Sequence, residues 1–371
     1  MNERRRLRIA LLGETGGPGG AERMMLQLAE ELRRRGHEVF PIGPERRTPW
    51  LRTQFRDRGF EAHTFMIRRG LDPWGLVQMT RLLRRLRVDV VHTHEFQTSV
   101  YGGVAAWLLG KPHVITMHGG RYYAQRRHRR VALRWCARRS RAVVAVSAAT
   151  AAELAGVVGM PTSAVHVVHN GVKSEAGDPG KVRAELGVGP DERLIIAVGN
   201  LYPVKGHAIL FDALRRVESD GGAPPWRLAI AGRGGEEFSL RAYIVSQGWD
   251  RRVHLLGFRE DIADVIAAAD VFVMPSLSEG LPLALVEAML AGKAIIASRT
   301  GGIPEAVADG RDALLAPPGD VGALTARLRE LLSNAGLRAR LGEAARGNAA
   351  ARFSVERMAD DYERLYDGQR R

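Results

Sequence analysis

Two glutamates, Glu279 and Glu287, stand eight residues apart in the segment PSLSEGLPLALVEAM, residues 275–289. A strand ending at Met274 leads into a loop, and Pro282 suits the first turn of the helix that follows, where a missing N–H costs nothing. The amides of Gly280, Leu281 and Leu283 at such a helix start have no intrahelical acceptor. With the positive end of the helix dipole they suit an anion such as a diphosphate. Glu279 lies in the loop beside that site. Glu287, one to two turns into the helix, has the chemistry to accept hydrogen bonds from a pair of ribose hydroxyls. No Asp-x-Asp triplet is present, and no His/carboxylate cluster has metal-ligand spacing, so neutralisation of a phosphate falls to helix amides and cationic side chains. Two glycine-rich turns follow strands, at 17–20 and 232–235. Neither gives a clean dinucleotide fingerprint of G-x-G-x-x-G spacing with an acidic residue about twenty positions on, which argues against a dehydrogenase.

These residues must be held by elements, and the hydrophobic pattern supplies them. Short β-branched runs at 7–13, 38–42, 88–92, 113–117, 142–146 and 165–169 read as strands, with helices such as 21–36, 74–86 and 129–139 between them. The pattern restarts after residue 172, with strands at 193–198, 227–231, 253–256, 271–274, 294–297 and 313–316. Helices intervene at 207–220, 262–269, 282–291, 303–308 and 322–333. Alternation of this kind predicts two doubly wound parallel α/β sheets. The expected division is a Rossmann-like domain over 1–172, a second over 173–350, and a C-terminal segment 351–371 whose helix crosses back to the first domain. Ligands of such sheets bind at the carboxyl ends of the strands, so two sheets facing a central cleft suit an enzyme joining two substrates.

The chain has 371 residues, of which 45% are apolar and 26% charged, an ordinary globular composition large enough for two cores. The most apolar stretch, 270–298, is broken by Glu279, Glu287 and Lys293, which excludes a membrane-spanning helix. One cysteine, Cys136, excludes an internal disulfide, and no signal-peptide pattern is present, so a cytoplasmic location is expected. Residues 1–172 hold 29 basic and 13 acidic side chains, a net of +16, whereas the remainder carries −2.

The motifs resemble those of glycosyltransferase family 4. The segment around Glu279 and Glu287 carries the family's mark. GGPGGAERMMLQLAEELRRRGHEV, VDVVHTHEFQTSVYG, ITMHGG, VVAVSAATAAEL and VVHNGV follow in the family's order through the first half. AVGNLYPVKGH, LAIAGRGGEE, LLGFREDIADVIAAADVFVMPS and TGGIPEAVADGRDALLAPPGD complete the second. The resemblance implies a GT-B fold and a retaining, metal-independent hexosyltransferase that needs no cofactor beyond its nucleotide-sugar donor. The acceptor would be a glycan or a lipid-linked saccharide. It further implies that Glu287 binds the donor ribose and that Glu279, with the backbone of Gly280, Leu281, Pro282 and Leu283, binds the transferred sugar and diphosphate. Lys205 would neutralise the leaving diphosphate. Gly257, Phe258 and Arg259 would border the base, chiefly through backbone. His118 would face the sugar from the first domain, and Gly19 and Gly20 would let a backbone loop approach diphosphate and acceptor. His92 and His94 are equally consistent with cleft-lining and with packing. One position departs from the family. Where it commonly has Arg after VG, paired with the Lys, this chain has Asn200, which can donate a hydrogen bond but brings no charge. Arg233, Arg259 and Arg299 are candidates to stand in.

The excess positive charge concentrates in two places. One is Arg121 to Arg141, interleaved with Tyr122, Tyr123, Val131, Leu133 and Trp135. The other is the helix with Arg81, Arg84, Arg85 and Arg87 beside Trp74, Leu76, Met79, Leu82, Leu83 and Leu86. A basic amphipathic surface of this kind suits the anionic inner face of a membrane, as a peripheral contact. Two other classes remain. A non-catalytic sugar-nucleotide-binding partner of another transferase is suggested by Asn200. A nucleic-acid-binding protein is suggested by the charge, but no helix-turn-helix, zinc or aromatic single-strand platform supports it, so no nucleic-acid partner is expected.

Overall fold

The computed structural model describes residues 5–15, 17–45, 50–68, 72–119 and 126–368. The chain forms two compact units. The first comprises Met1–Val172 with Val355–Arg371, and the second Lys173–Ser354. The second unit runs past residue 350 because the helix Ala335–Arg352 continues to its last turn, a helix whose weak apolar periodicity hides it in the sequence.

In the first unit the strands are β1 (Arg8–Leu12), β2 (Glu38–Pro44), β3 (His63–Phe65), β4 (Val90–His94), β5 (His113–Met117), β6 (Ala142–Ala145) and β7 (Val165–Val167). They pair in parallel in the order β3-β2-β1-β4-β5-β6-β7. The three-residue β3 at the sheet edge was too short to read as an apolar run. Every residue of β4, β5 and β6 is buried, as strands covered by helices on both faces must be. In the second unit the strands are β8 (Arg193–Val198), β9 (Trp226–Ala231), β10 (Val253–Gly257), β11 (Val271–Met274), β12 (Ala294–Ser298) and β13 (Leu314–Ala316). Their order is β10-β9-β8-β11-β12-β13, again parallel. The order reverses between β8 and β11, so the loops after these two strands leave on either side of a topological switch point, the place where such sheets take ligands.

The last helix, Val355–Tyr366, belongs to the first unit and packs on the helix Gly20–Arg34. Its apolar face carries Met358, Tyr362, Leu365 and Tyr366, all buried. Polar groups stitch it down as well. Arg35 is held between Glu31 on its own helix and Glu363 at 2.8 Å, and His37 Nε2 meets the other oxygen of Glu363 at 2.8 Å.

Candidate functional site

In the second unit, the loop after β8 carries Asn200 and Lys205, and the loop after β11 carries Glu279. Lys205 Nζ donates to Glu279 Oε1 at 2.7 Å, and Ser276 Oγ donates to the same oxygen at 2.7 Å. The Glu279 side chain is 7% exposed and that of Lys205 25%. A cation and a carboxylate thus stand together at the switch point, with the carboxylate's orientation set by two donors. The loops are tied to one another by backbone: the Leu277 amide donates to the Val204 carbonyl at 2.7 Å, and the Gly302 amide to the Gly280 carbonyl at 2.7 Å. Gly301 has φ +53, and a Cβ there would overlap the Glu279 carbonyl oxygen, so only glycine lets the loop after β12 press on the Glu279 loop.

His207 follows Lys205 and Gly206 at the start of the helix His207–Ser219. It is 2% exposed, and burial pushes its pKa down to about 4. The neutral ring donates from Nε2 to the Asn200 carbonyl at 3.3 Å and pins the loop that bears Lys205. The helix after β11 spans Leu283–Leu290, with Pro282 as its extended N-cap rather than inside its first turn. Gly280 and Leu281 lead into it, and Glu287 sits half-buried midway along it. At the end of β10 the register slips between Leu255 and Gly257, a bulge that turns the chain so that Phe258 leaves the strand line.

Among the candidate stand-ins for the missing arginine, Arg259 is corrected. Its guanidinium is taken up by Glu185, at 2.6 and 3.0 Å, and by both oxygens of Asp261 at 2.8 Å. That clasp holds the Asp261 carboxyl far below its ordinary range, and the hydrogen-bonded arginine is committed to structure. Arg299 is likewise engaged, by Asp309 at 2.8 Å.

In the first unit, His94 at the end of β4 and His118 just past β5 meet through Nδ1 and Nε2 at 2.9 Å, with their rings stacked 5.2 Å apart. Burial lowers the His118 pKa to about 4 and holds that of His94 well below the ordinary histidine value, so both are neutral at physiological pH. The pair shares one proton between facing nitrogens. His92 has a different job: it is fully buried, and its two nitrogens meet Tyr366 Oη and Thr116 Oγ1, each at 2.8 Å. It is therefore a packing residue that anchors the last helix. Gly19 caps the helix Gly20–Arg34 in extended conformation, with Glu22 in the first turn behind it. Glu22 is 7% exposed, and its burial raises the carboxyl pKa to about 7.

The sequence pattern did not reveal two acidic residues here. Glu95 adopts φ +71 and ψ −179, a region that costs a residue with a Cβ about 1–3 kcal/mol, and its Oε1 accepts from the His118 amide at 3.2 Å. Glu14 accepts from the Gln97 amide at 2.6 Å and so caps the helix Phe96–Leu108. The one legible signal was an acid directly after the His-Thr-His triplet. Ser276 had none, because its role depends on a partner three residues on folding back. Among the described residues, no group of three or more His, Cys, Asp or Glu side chains is placed to hold a metal ion.

The basic helices are also revised. The apolar stripe of Pro73–Arg85 is spent on the unit's own core through Met79 and Leu83, and Leu133 of Arg127–Ala137 is buried in the same way. What faces outward is Trp74, Trp107, Leu108 and Val131, each 52–61% exposed, among exposed Arg81, Arg84, Arg85, Arg130, Arg134 and Arg138. These residues belong to three helices packed side by side. Arg121, Tyr122 and Tyr123 lie outside the described residues.

Residues 180–348 match the family described as Glycosyl transferases group 1, and residues 18–176 match Glycosyltransferase Family 4. The chain is 31% identical to the alpha-maltose-1-phosphate synthase of Mycolicibacterium smegmatis over 352 residues, covering 84% of this chain and 88% of that protein. It is 28% identical to the 2-deoxystreptamine N-acetyl-D-glucosaminyltransferase of Streptomyces fradiae, covering 93% and 90%. In three dimensions it is similar to Anabaena HepE, solved in complex with UDP and glucose, with a TM-score of 0.84 at 23% identity, covering 96% of this chain and 98% of that one.

Proposed function

The chain belongs to the GT-B glycosyltransferases, and from that premise we propose that it moves a hexose from a nucleoside diphosphate sugar to a glycan or lipid-linked acceptor with retention of anomeric configuration. The observation that carries the donor half of this reading is the Lys205–Glu279 pair at the switch point of the second sheet, beside the start of the helix that bears Glu287. Charge grows on the diphosphate as the glycosidic bond breaks. A lysine already in place stabilises that charge without reorganisation, which is where such a group contributes most. Glu279, oriented by Ser276, is left to hold the sugar hydroxyls and the positive charge that develops at the anomeric carbon. Glu287 takes the ribose. Crystals of the structural relative with UDP and with UDP-glucose support a uridine donor as the first to try.

His118 in the first unit is neutral at physiological pH and can donate or accept toward the sugar, with His94 setting which nitrogen carries the proton. Helix amides and Lys205 neutralise the diphosphate in this scheme, so turnover needs no divalent cation. Activity that EDTA abolishes and magnesium restores contradicts that part. The test of the whole is incubation with UDP-, GDP- and ADP-sugars and a panel of lipid-linked and soluble acceptors, read by proton NMR. Product whose anomeric coupling matches that of the donor supports the reading; an inverted product, or none across the panel, refutes it.

The outward face of the first unit favours an acceptor presented at an anionic membrane. Tryptophans and a leucine ringed by arginines fit the interface between headgroups and acyl chains. Co-sedimentation with vesicles containing anionic lipid, lost on changing Trp107 and Leu108 to serine, is the expected result. Equal binding to zwitterionic vesicles contradicts it.

A further inference from the structure

The donor-site reading leaves Lys205 without the second cation that a diphosphate's two negative charges call for, since position 200 is Asn. We infer that Arg233 supplies it, from the neighbouring strand. The inference rests on the donor-site reading and adds a residue to it.

Arg233 leaves the carboxyl end of β9, which lies directly beside β8, so its loop is the immediate neighbour of the loop carrying Asn200 and Lys205. Adjacent parallel strands are about 4.8 Å apart, which puts the two loops within contact. The contact is backbone to backbone. The Leu201 amide donates to the Arg233 carbonyl at 3.0 Å, the Gly199 amide to Ala231 at 2.9 Å and the Glu236 amide to Leu201 at 3.0 Å. Glycines flank the arginine on both sides for a steric reason. A Cβ on Gly232 would overlap the Gly199 carbonyl, and one on Gly234 would overlap the Leu201 carbonyl. The arginine is thus mounted on a turn clamped to the phosphate-side loop, and Gly199 in turn lies against the stem of Lys205.

The side chain lies along Gly257 and reaches the Phe258 ring at 5.9 Å from the ring centre, at the outer limit of a cation–π contact. It is exposed, and among the described residues no carboxylate pairs with it. The two other candidates for the missing charge are committed elsewhere: Arg259 to Glu185 and Asp261, and Arg299 to Asp309. A guanidinium between the Lys205 loop and the base-side turn at Gly257–Phe258, with only a weak hold on an aromatic edge, is placed to engage phosphate oxygens in a bidentate way. The charge absent at position 200 is returned from one strand over.

Titration calorimetry of the full chain tests this. Wild type, Arg233→Ala, Arg241→Ala and the double variant Arg233→Ala/Asn200→Arg are each titrated with UDP, GDP and ADP and with the corresponding nucleosides. Arg241 sits on an exposed helix face paired with Glu237 and controls for loss of one charge. The expected result is a ten- to fiftyfold loss of nucleoside diphosphate affinity in Arg233→Ala with nucleoside affinity unchanged. Arg241→Ala should stay within twofold of wild type, and Asn200→Arg should restore at least half of the logarithmic loss. Diphosphate affinity unchanged in Arg233→Ala overturns the inference while leaving the donor site standing. Equal losses for nucleoside and diphosphate also overturn it, by assigning Arg233 to the base. Failure of wild type to bind any of the three diphosphates overturns the donor-site reading and this inference with it.

Discussion

In the proposed reaction the contact between Lys205 and Glu279 serves two stages. In the absence of donor they neutralise each other at 2.7 Å, which keeps a 7%-exposed carboxylate from standing unpaired. Lys205→Ala should therefore lower kcat by about a hundredfold or more, in the range of other groups that meet transition-state charge, with a smaller change in KM. Steady-state kinetics with saturating donor decide it, and a near-normal kcat removes the role. A second prediction concerns Glu22. Its folded pKa of about 7 lies above the ordinary value of 4.5, so the neutral form is the one the fold favours. The associated stability is full below pH 4.5 and is lost as pH rises through 7. Glu22→Gln should leave stability unchanged at pH 5 and raise it by roughly 2–3 kcal/mol at pH 8; equal effects at both pH values contradict the assignment. Lys205 and Glu279 were legible because each sits in a motif read along the chain. Ser276, Glu14, Glu95 and the commitment of Arg259 were not, because they depend on partners brought together only by folding.

Loops are the working elements, and their shape is held by neighbouring loops. The Glu279 loop is braced from the next strand by Gly301, by the Gly302–Gly280 hydrogen bond and by Thr300 Oγ1 donating to the Leu277 carbonyl at 3.1 Å. Gly301→Ala combines a left-handed backbone with steric overlap and should cost roughly 2 kcal/mol or more, with a fall in kcat/KM of over tenfold. Gly310→Ala, where φ is +75 but nothing lies within 4 Å, isolates the backbone term and should cost about 1 kcal/mol without loss of activity. Urea unfolding and kinetics of both variants separate the two effects; equal outcomes contradict the bracing role. Strands were readable in the sequence wherever a β-branched run met a glycine-rich turn. The amphipathic helices were readable as helices, but which face they turned outward was not. Most of the stripe that looked suited to lipid is turned into the core through Met79, Leu83, Leu86 and Leu133, and of its described residues Trp74 and Val131 stay exposed, beside Trp107 of the intervening helix.

At the scale of the molecule, the two sheets follow from the strand–helix alternation, and the last helix joins the first unit through side chains more than 220 residues away in sequence, such as Tyr366 to His92 and Tyr362 to Thr116. The first unit also concentrates buried neutral histidines. His92, His94, His113 and His118 all have pKa values depressed by burial, to about 3 for His113 and about 4 for His118. Their contribution to stability is present above pH 6.5 and is lost as pH falls toward 4, because only the unfolded chain binds those protons. Hydrogen exchange resolved by unit should show the first unit opening before the second between pH 6 and 4, and the reverse order contradicts this. The central claim is that the second unit holds a nucleoside diphosphate with Glu287 on its ribose. Thermal unfolding with UDP, GDP and ADP, beside Glu287→Ala, tests it most directly. One diphosphate at about 100 times its Kd should stabilise the wild-type chain by about 2.7 kcal/mol, with the gain lost in the variant. No stabilisation by any of the three, or the same gain in Glu287→Ala, contradicts the account.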